Sequence, residues 1–386
     1  MNCPICNSTS NQTLQEFKQS ITSDSKMIPE MVVTTICCDC GNVFNSHGAR
    51  NKTFNFYQNS YDLHGSSFQA ETQIYDNNNK QSLSDWRLQH LLSLNILPNN
   101  GKILDIGCGK GNFLQEFQFA FPNWELYGIE SSRISLSIAK QNLSNFNFHE
   151  GIYEKNIFAK KFNFIVAFNV LEHIENPKLF LQNIYHDLDF GGYVCFDVPN
   201  FKLNPADLFV YDHLTHFTSE TLRNLLGSEG FEIIKLVEDY NKVPLFVICK
   251  KSHIKSSLTN FFPMMKKLVF DIINYNDDLF STYDYANKNF DKFGVIGLGV
   301  SIWFAIQNNL LDFSKIAYFY DENNTIIGTK PSNILVKSLD AISEENSLPL
   351  IFSVSPCYIE NLNKKINSYG NLRFIPKSYS YYLKYF

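Results

Sequence analysis

Lys102-Ile103-Leu104-Asp105-Ile106-Gly107-Cys108-Gly109-Lys110-Gly111-Asn112-Phe113-Leu114 is the stretch that decides the fold. Ile103, Leu104 and Ile106 make a short apolar run suited to a buried strand. A glycine turn follows, and Asn112 opens a helical pattern. This layout brings bare backbone at a helix N-terminus up to a ligand. The spacing is G-x-G-x-G, not the G-x-G-x-x-G of dinucleotide folds. Gly107, Gly109 and Gly111 stand where side chains would block a ligand or force unfavourable dihedrals.

Strand and helix patterns alternate outward from this stretch. Asp85 to Leu97 carries apolar residues at helical spacing and stops at Pro98-Asn99-Asn100-Gly101. Downstream, strands are predicted at Leu126–Ile129, Phe146–His149, Phe162–Phe168 and Tyr193–Val198, with helices over Ser132–Leu143, Leu179–Leu188 and Thr218–Leu226. Phe231–Val237 and Leu245–Lys250 read as paired strands. A second alternation begins at Phe293-Gly294-Val295-Ile296-Gly297-Leu298-Gly299, with strands expected at Ile316–Tyr320 and Leu350–Val354. The aromatic stretch from Ile254 to Asn289 is expected to be helical and to pack across both units. Residues from Phe54 to Asn79 read as a polar linker with little regular structure.

The 386 residues are 44% hydrophobic and 18% charged, which fits packed globular domains. The net charge of −5 and the lack of a Lys/Arg cluster argue against a nucleic-acid partner. No apolar run reaches the roughly 18 residues of a membrane span. Met1-Asn2-Cys3-Pro4 does not begin a secretory signal, so a cytoplasmic location is expected. Five of the nine cysteines fall in the first forty residues, as Cys3-Pro4-Ile5-Cys6 and Cys37-Cys38-Asp39-Cys40-Gly41. Two C-x-x-C knuckles suit one tetrahedral Zn²⁺ held by Cys3, Cys6, Cys37 and Cys40, with Cys38 as the spare. A redox-active C-x-x-C would prefer one pair set in a βαβ unit, and none surrounds these. A hairpin from about Glu16 to Thr35 would fill the gap between the knuckles.

With Leu104-Asp105 ahead of the glycine run, the central stretch resembles motif I of the class I methyltransferases that use S-adenosylmethionine. Phe164-Ile165-Val166-Ala167-Phe168-Asn169-Val170-Leu171-Glu172-His173-Ile174 resembles their fourth-strand signature. The resemblance implies that Asp105, Gly107, Cys108, Gly109, Gly111, Glu130, Asn169 and Leu171 line the cofactor. Asp105 would order the turn and reach the methionine ammonium through water. Glu130, after Tyr127-Gly128-Ile129, would accept the ribose hydroxyls, as an acid after the second strand does in dinucleotide folds. Ile152 stands where relatives often carry an acid that reads the adenine, so apolar contacts and backbone groups are expected there. The loop Tyr211-Asp212-His213-Leu214-Thr215-His216-Phe217 lies beyond the strand ends. His213 is its first candidate base, beside Asp212. His216 is the second candidate, and Tyr211 is a candidate hydrogen-bond donor to substrate.

The whole layout resembles the three-domain sugar C-methyltransferases that act on nucleotide-linked keto-deoxysugars. It implies an α/β chain in three parts: a small zinc-binding domain (1–60), a central Rossmann-like doubly wound methyltransferase sheet with a late antiparallel hairpin (61–252), and a C-terminal Rossmann-like α/β domain (253–386). It also implies a sugar or sugar-nucleotide substrate in surface polysaccharide or glycoconjugate synthesis. The stretch corresponding to that family's "YHEH" is Val210-Tyr211-Asp212-His213, so only the last histidine is kept. Carbon and oxygen acceptors therefore both stay open. Two other readings compete: a nicotinamide dinucleotide at Gly294–Gly299, and a zinc-ribbon scaffold that binds without turnover.

Overall fold

The computed structural model describes residues 1–48, 73–76, 79–143, 145–239, 244–323, 326–345 and 347–379. Most of the expected linker from Phe54 to Asn79 lies outside them.

The chain opens with β1 (Asn11–Phe17), β2 (Ser20–Ile21), β3 (Met27–Ile28), β4 (Val32–Cys37) and β5 (Val43–Asn45). β1 pairs antiparallel with β4, and β2 with β3, so the segment between the knuckles is a hairpin as expected. At the end of the expected linker, β6 (Gln73–Asp76) and β7 (Asn79–Ser82) form a second hairpin. α1 (Leu83–Leu92) starts where Ser82 Oγ accepts the Asp85 N–H, which satisfies an otherwise orphaned helix donor.

The central unit follows as β8 (Gly101–Ile106), α2 (Asn112–Ala120), β9 (Trp124–Glu130), α3 (Arg133–Asn142), β10 (Asn147–Glu150), β11 (Phe162–Phe168), α4 (Pro177–Asp187) and β12 (Leu188–Pro199). Next come β13 (Thr215–His216), α5 (Ser219–Ser228), β14 (Phe231–Glu238) and β15 (Pro244–Lys251). The central sheet runs β10-β9-β8-β11-β12-β15-β14. Its first five strands are parallel, and β15 alone runs against them, pairing antiparallel with both β12 and β14. The order reverses between β8 and β11, the kind of switch point where open α/β sheets bind ligands. Both faces are covered, which is why Phe162–Phe168 is nearly continuous in apolar residues. Ile165 and Ala167 face one core with Leu181 and Leu222, whereas Phe164 and Val166 face the other with Trp86 and Phe117.

α6 (Phe262–Asn289) leads to β16 (Phe293–Ile296), α7 (Val300–Gln307), β17 (Ile316–Asp321), β18 (Val336–Ser338), β19 (Leu350–Phe352), α8 (Pro356–Lys365) and β20 (Arg373–Phe374). These strands form an all-parallel sheet in the order β18-β17-β16-β19-β20. α6 buries Met265, Leu268, Val269, Ile272, Leu279 and Tyr283, a stripe at helical spacing. That stripe shares one core with Ile36 and Val43 near the N-terminus, with Phe201 and Leu208 after β12, and with the third sheet. Gly41 allows the junction. Its φ is +77°, and a Cβ there would stand 2.5 Å from the Phe261 carbonyl carbon.

β13 departs from the expected boundaries. Thr215 pairs with Phe44 and His216 with Val43, so the first sheet takes its fourth strand from the middle of the chain.

Candidate active site

The glycine turn sits at the carboxyl end of β8. Gly107, Gly109 and Gly111 all have positive φ (74°, 54° and 84°), a region costly for any residue with a Cβ. The amides of Gly107 and Cys108 both donate to the Ile129 carbonyl, at 2.8 and 3.0 Å, fastening the turn to the neighbouring strand. A Cβ on Gly107 would meet Val170 at 2.6 Å and one on Gly111 would meet Leu143 at 2.3 Å, whereas the space beside Gly109 is open. Cys108 is buried, its sulfur close to where a Gly128 side chain would lie.

Glu130 ends β9 and is buried. Its carboxylate accepts the Gly109 N–H at 2.8 Å and the Ser132 N–H at 2.6 Å, tying the strand end into the glycine turn. Burial raises its pKa against these donors. Asp105 is also buried. Its carboxyl is pushed up to about 8 by desolvation, with Arg87 pulling the other way. Asn169, at the end of β11, has φ +52° and an exposed side chain. Leu171 is fully buried in the core, so its side chain packs the sheet instead of facing the edge. Ile152, by contrast, is exposed just beyond β10.

The structure adds a brace absent from the sequence reading. Arg87 on α1 donates to Asp197 at the end of β12 at 2.7 Å, and its guanidinium lies 4.3 Å from the Phe168 ring centroid. Asp197 also accepts the Asn169 N–H at 2.8 Å. This buried ion pair fixes the backbone at the switch point. The partners are far apart in the sequence, so no local pattern reveals it.

The loop after β12 forms the other wall. Asp207 lies in a short turn of 3₁₀ helix and accepts from both histidines, His213 through Nδ1 and His216 through Nδ1 at 2.6 Å. Asp212, read as the neighbour of the base, turns away: it accepts from Ser23 N–H at 2.8 Å and Ser23 Oγ at 2.6 Å. Asp207 was missed because it precedes the histidines by six and nine residues with no motif to mark it. Burial opposes a charge on His213, but Asp207 carries its pKa up to about 9. With nothing bound at Nε2 the ring therefore tends to hold a second proton there, one that a cation at Nε2 would displace. His216 is buried and stacked on Phe201 at 4.8 Å, and lies within β13. Tyr211 is buried with Val32 and Leu214, and its amide donates to the Ile21 carbonyl at 2.7 Å. Neither of these two is presented at the strand ends. Glu172 and His173 come instead. The ring of His173 stands 4.8 Å from that of His213, its Nδ1 is 2.8 Å from the Asp212 carbonyl oxygen, and its Nε2 is 3.7 Å from Glu172. Burial, reinforced by His213, drives His173 down to about 4, and burial drives Glu172 up to about 8.

Away from this edge, Cys3, Cys6, Cys37 and Cys40 converge, their sulfurs all within 4.8 Å of one another. The Cys3–Cys40 and Cys6–Cys37 pairs are 3.7 and 3.4 Å apart. The Ile5 amide donates to Cys3 Sγ, and the Gly41 amide closes the second knuckle on the Cys37 carbonyl. No helix among the described residues is long and apolar enough to cross a membrane.

Residues 75–236 match a family model described as a methyltransferase domain. The chain is 28% identical over 152 residues to malonyl-[acyl-carrier protein] O-methyltransferase 1 of Ilyobacter polytropus, covering 34% of this chain and 57% of that protein. It is 29% identical over 143 residues to a carboxy-S-adenosyl-L-methionine synthase of Campylobacter jejuni subsp. doylei, covering 36% of this chain and 59% of that one. The chain thus spans little more than half the length of these relatives. Among solved structures, an S-adenosylmethionine-dependent methyltransferase from Clostridium acetobutylicum is 17% identical with a TM-score of 0.36, covering 45% of this chain and 91% of that one. An S-adenosylmethionine-bound amino pentose methyltransferase from Micromonospora echinaspora is 16% identical with a TM-score of 0.35, covering 45% and 92%. The central unit, with this sheet order and this family match, has the class I methyltransferase fold.

Proposed function

We propose that this protein, whose central unit has that fold, transfers the methyl group of S-adenosylmethionine to a sugar or nucleotide-linked sugar. The observation that carries the reading is the Glu130 carboxylate held by the Gly109 and Ser132 amides beside an open glycine turn. A fixed carboxylate there suits a ribose diol. Bare amides and the start of α2 suit the rest of a nucleoside, and exposed Ile152 suits the adenine face. The methionine end then lies toward Asp105 and Asn169. The acceptor enters between Asn169 and the wall of Glu172, His173 and His213. Transfer is an in-line displacement: the acceptor bonds to the methyl carbon as the methyl–sulfur bond breaks, S-adenosylhomocysteine leaves with that electron pair, and the acceptor's proton passes to a nearby base or to water, so alignment is the chief task of these residues.

The cysteine cluster fits Zn²⁺. At a Zn–S distance near 2.3 Å, sulfurs on a tetrahedron stand about 3.8 Å apart, close to the spacing of the two nearest pairs. Four thiolates brought this close repel one another, so charging them together calls for a cation among them. We assign the cation a structural role. Metal analysis of the purified protein should give about one zinc per chain, lost in Cys40→Ser, and a metal-free wild-type protein would refute this.

The sugar acceptor is tested with labelled S-adenosylmethionine and a panel of nucleotide sugars read by product mass spectrometry. Malonyl-acyl carrier protein belongs in the panel because an O-methyltransferase named for it is among the relatives. Label appearing there and on no sugar would sink the sugar reading. Failure of S-adenosylhomocysteine to bind in calorimetry would remove the methyltransferase reading as a whole.

A further inference from the structure

We infer that Glu172, His173 and His213 form a binding site for one divalent transition-metal cation, distinct from the cysteine cluster. Each offers a ligating atom within 4.8 Å of the other two. Donors around one ion at about 2.1 Å lie roughly 3–4 Å apart. The 3.7 Å between His173 Nε2 and Glu172 Oε1 already meets that spacing, and small side-chain rotations close the rest.

Two further observations point to a cation. Both imidazoles are oriented through Nδ1, His213 by the Asp207 carboxylate and His173 by the Asp212 carbonyl oxygen at 2.8 Å. Metal-binding histidines are held in the same way, with one ring nitrogen on a carboxylate or carbonyl and the other turned to the ion. Glu172, only 2% exposed, has an Oε2 with no hydrogen-bond partner among the described residues. Buried carboxylate oxygens are rarely left so, and a cation supplies the missing partner. The donor set of two nitrogens and one oxygen suits zinc, iron(II), cobalt(II) or manganese(II). Three protein ligands leave positions open for oxygens from outside. Glu172 and His173 follow Asn169 by three and four residues, which puts the site beside the end of β11. The site itself stands apart from the methyltransferase reading. Only the occupant rests on that reading: a vicinal diol or hydroxy-ketone of a sugar would chelate the ion and be fixed for transfer.

The experiment uses the full-length chain, stripped by chelator under reducing conditions and then given one equivalent of zinc per chain, which four thiolates hold more tightly than two imidazoles and a carboxylate do. Mn²⁺, a poor partner for thiolates, is titrated in, and the unbound ion is followed by electron paramagnetic resonance. One saturable Mn²⁺ per chain is expected, at least ~10-fold weaker in Glu172→Gln and in His173→Gln. Each variant is first checked for native circular dichroism, and either one that passes is sufficient. No saturable Mn²⁺ in the wild-type protein, or wild-type affinity in a folded variant, overturns the site. S-adenosylhomocysteine affinity is measured on the same samples. Its absence beside intact Mn²⁺ binding would defeat the methyltransferase reading and leave the metal site standing.

Discussion

The chain builds the strand–glycine–helix turn twice, at β8–α2 and at β16–α7, and the two differ in instructive ways. In both, the first glycine after the strand donates its amide to the next strand, Gly107 to Ile129 and Gly297 to Tyr320, at 2.8 and 2.9 Å. In both, an acid ends that next strand, Glu130 or Asp321. The first turn uses three glycines of positive φ and adds Asp105 on its own strand. The second has one such glycine at Gly297; Gly299 is extended at φ −73° and ψ −177°, and β16 carries no acid. Helix α7 is apolar on several sides, and its Phe304 stacks on Phe209 at 4.2 Å, binding the third sheet to the loop after β12. The same backbone device thus presents a polar crevice in one place and docks a helix in the other. Carboxylates and neighbours, not glycines alone, separate the two uses.

The sharpest way to break this contrast is to remove the two acids. Glu130→Ala should weaken S-adenosylmethionine by about 10- to 100-fold in calorimetry, since a hydrogen bond to a charged group contributes roughly 1.5–3 kcal/mol. Asp321→Ala should leave that affinity unchanged, and equal effects would mean the two turns are not functionally different. A smaller effect is expected from the glycines. Gly111→Ala combines a strained φ with contact to Leu143 and should weaken the cofactor by about tenfold. Gly297→Ala, whose Cβ would meet Val354 at 2.4 Å, should lower thermal stability by about 1–3 kcal/mol with cofactor affinity intact. The smallest signal sharpens the role of Asp105. With its pKa near 8 in the empty turn it is mostly protonated at pH 7. A cationic ammonium and sulfonium nearby favour the ionised form, so binding should release up to about one proton at pH 7 and almost none at pH 9. Calorimetry in buffers of different ionisation enthalpy measures this, and Asp105→Asn should abolish it.

What could be read from the sequence was local. Gly107–Gly111, Glu130 and the two cysteine knuckles announce themselves because their physics is set within a few residues. Strand ends were less visible: β12 starts at Leu188, ahead of the expected Tyr193, because pairing with β11 resumes across an irregular stretch in which Gly191 takes a left-handed φ of +76°. Long-range pairing was invisible. Arg87 finds Asp197, Ser23 finds Asp212, and Asp207 takes both histidines, so the aspartate next to His213 in the sequence is not the one that holds its ring. Only packing decides which of several nearby carboxylates faces a ring.

The fourth strand of the first sheet has a consequence for how the molecule comes into being. Val43 and Phe44 wait for Thr215 and His216, so during synthesis the earliest-made sheet keeps an open edge until the chain beyond the fifth central strand has left the ribosome. The amino-terminal segment is therefore no detachable tag. Cut away, it would leave the strand that carries His216 without its partner β5.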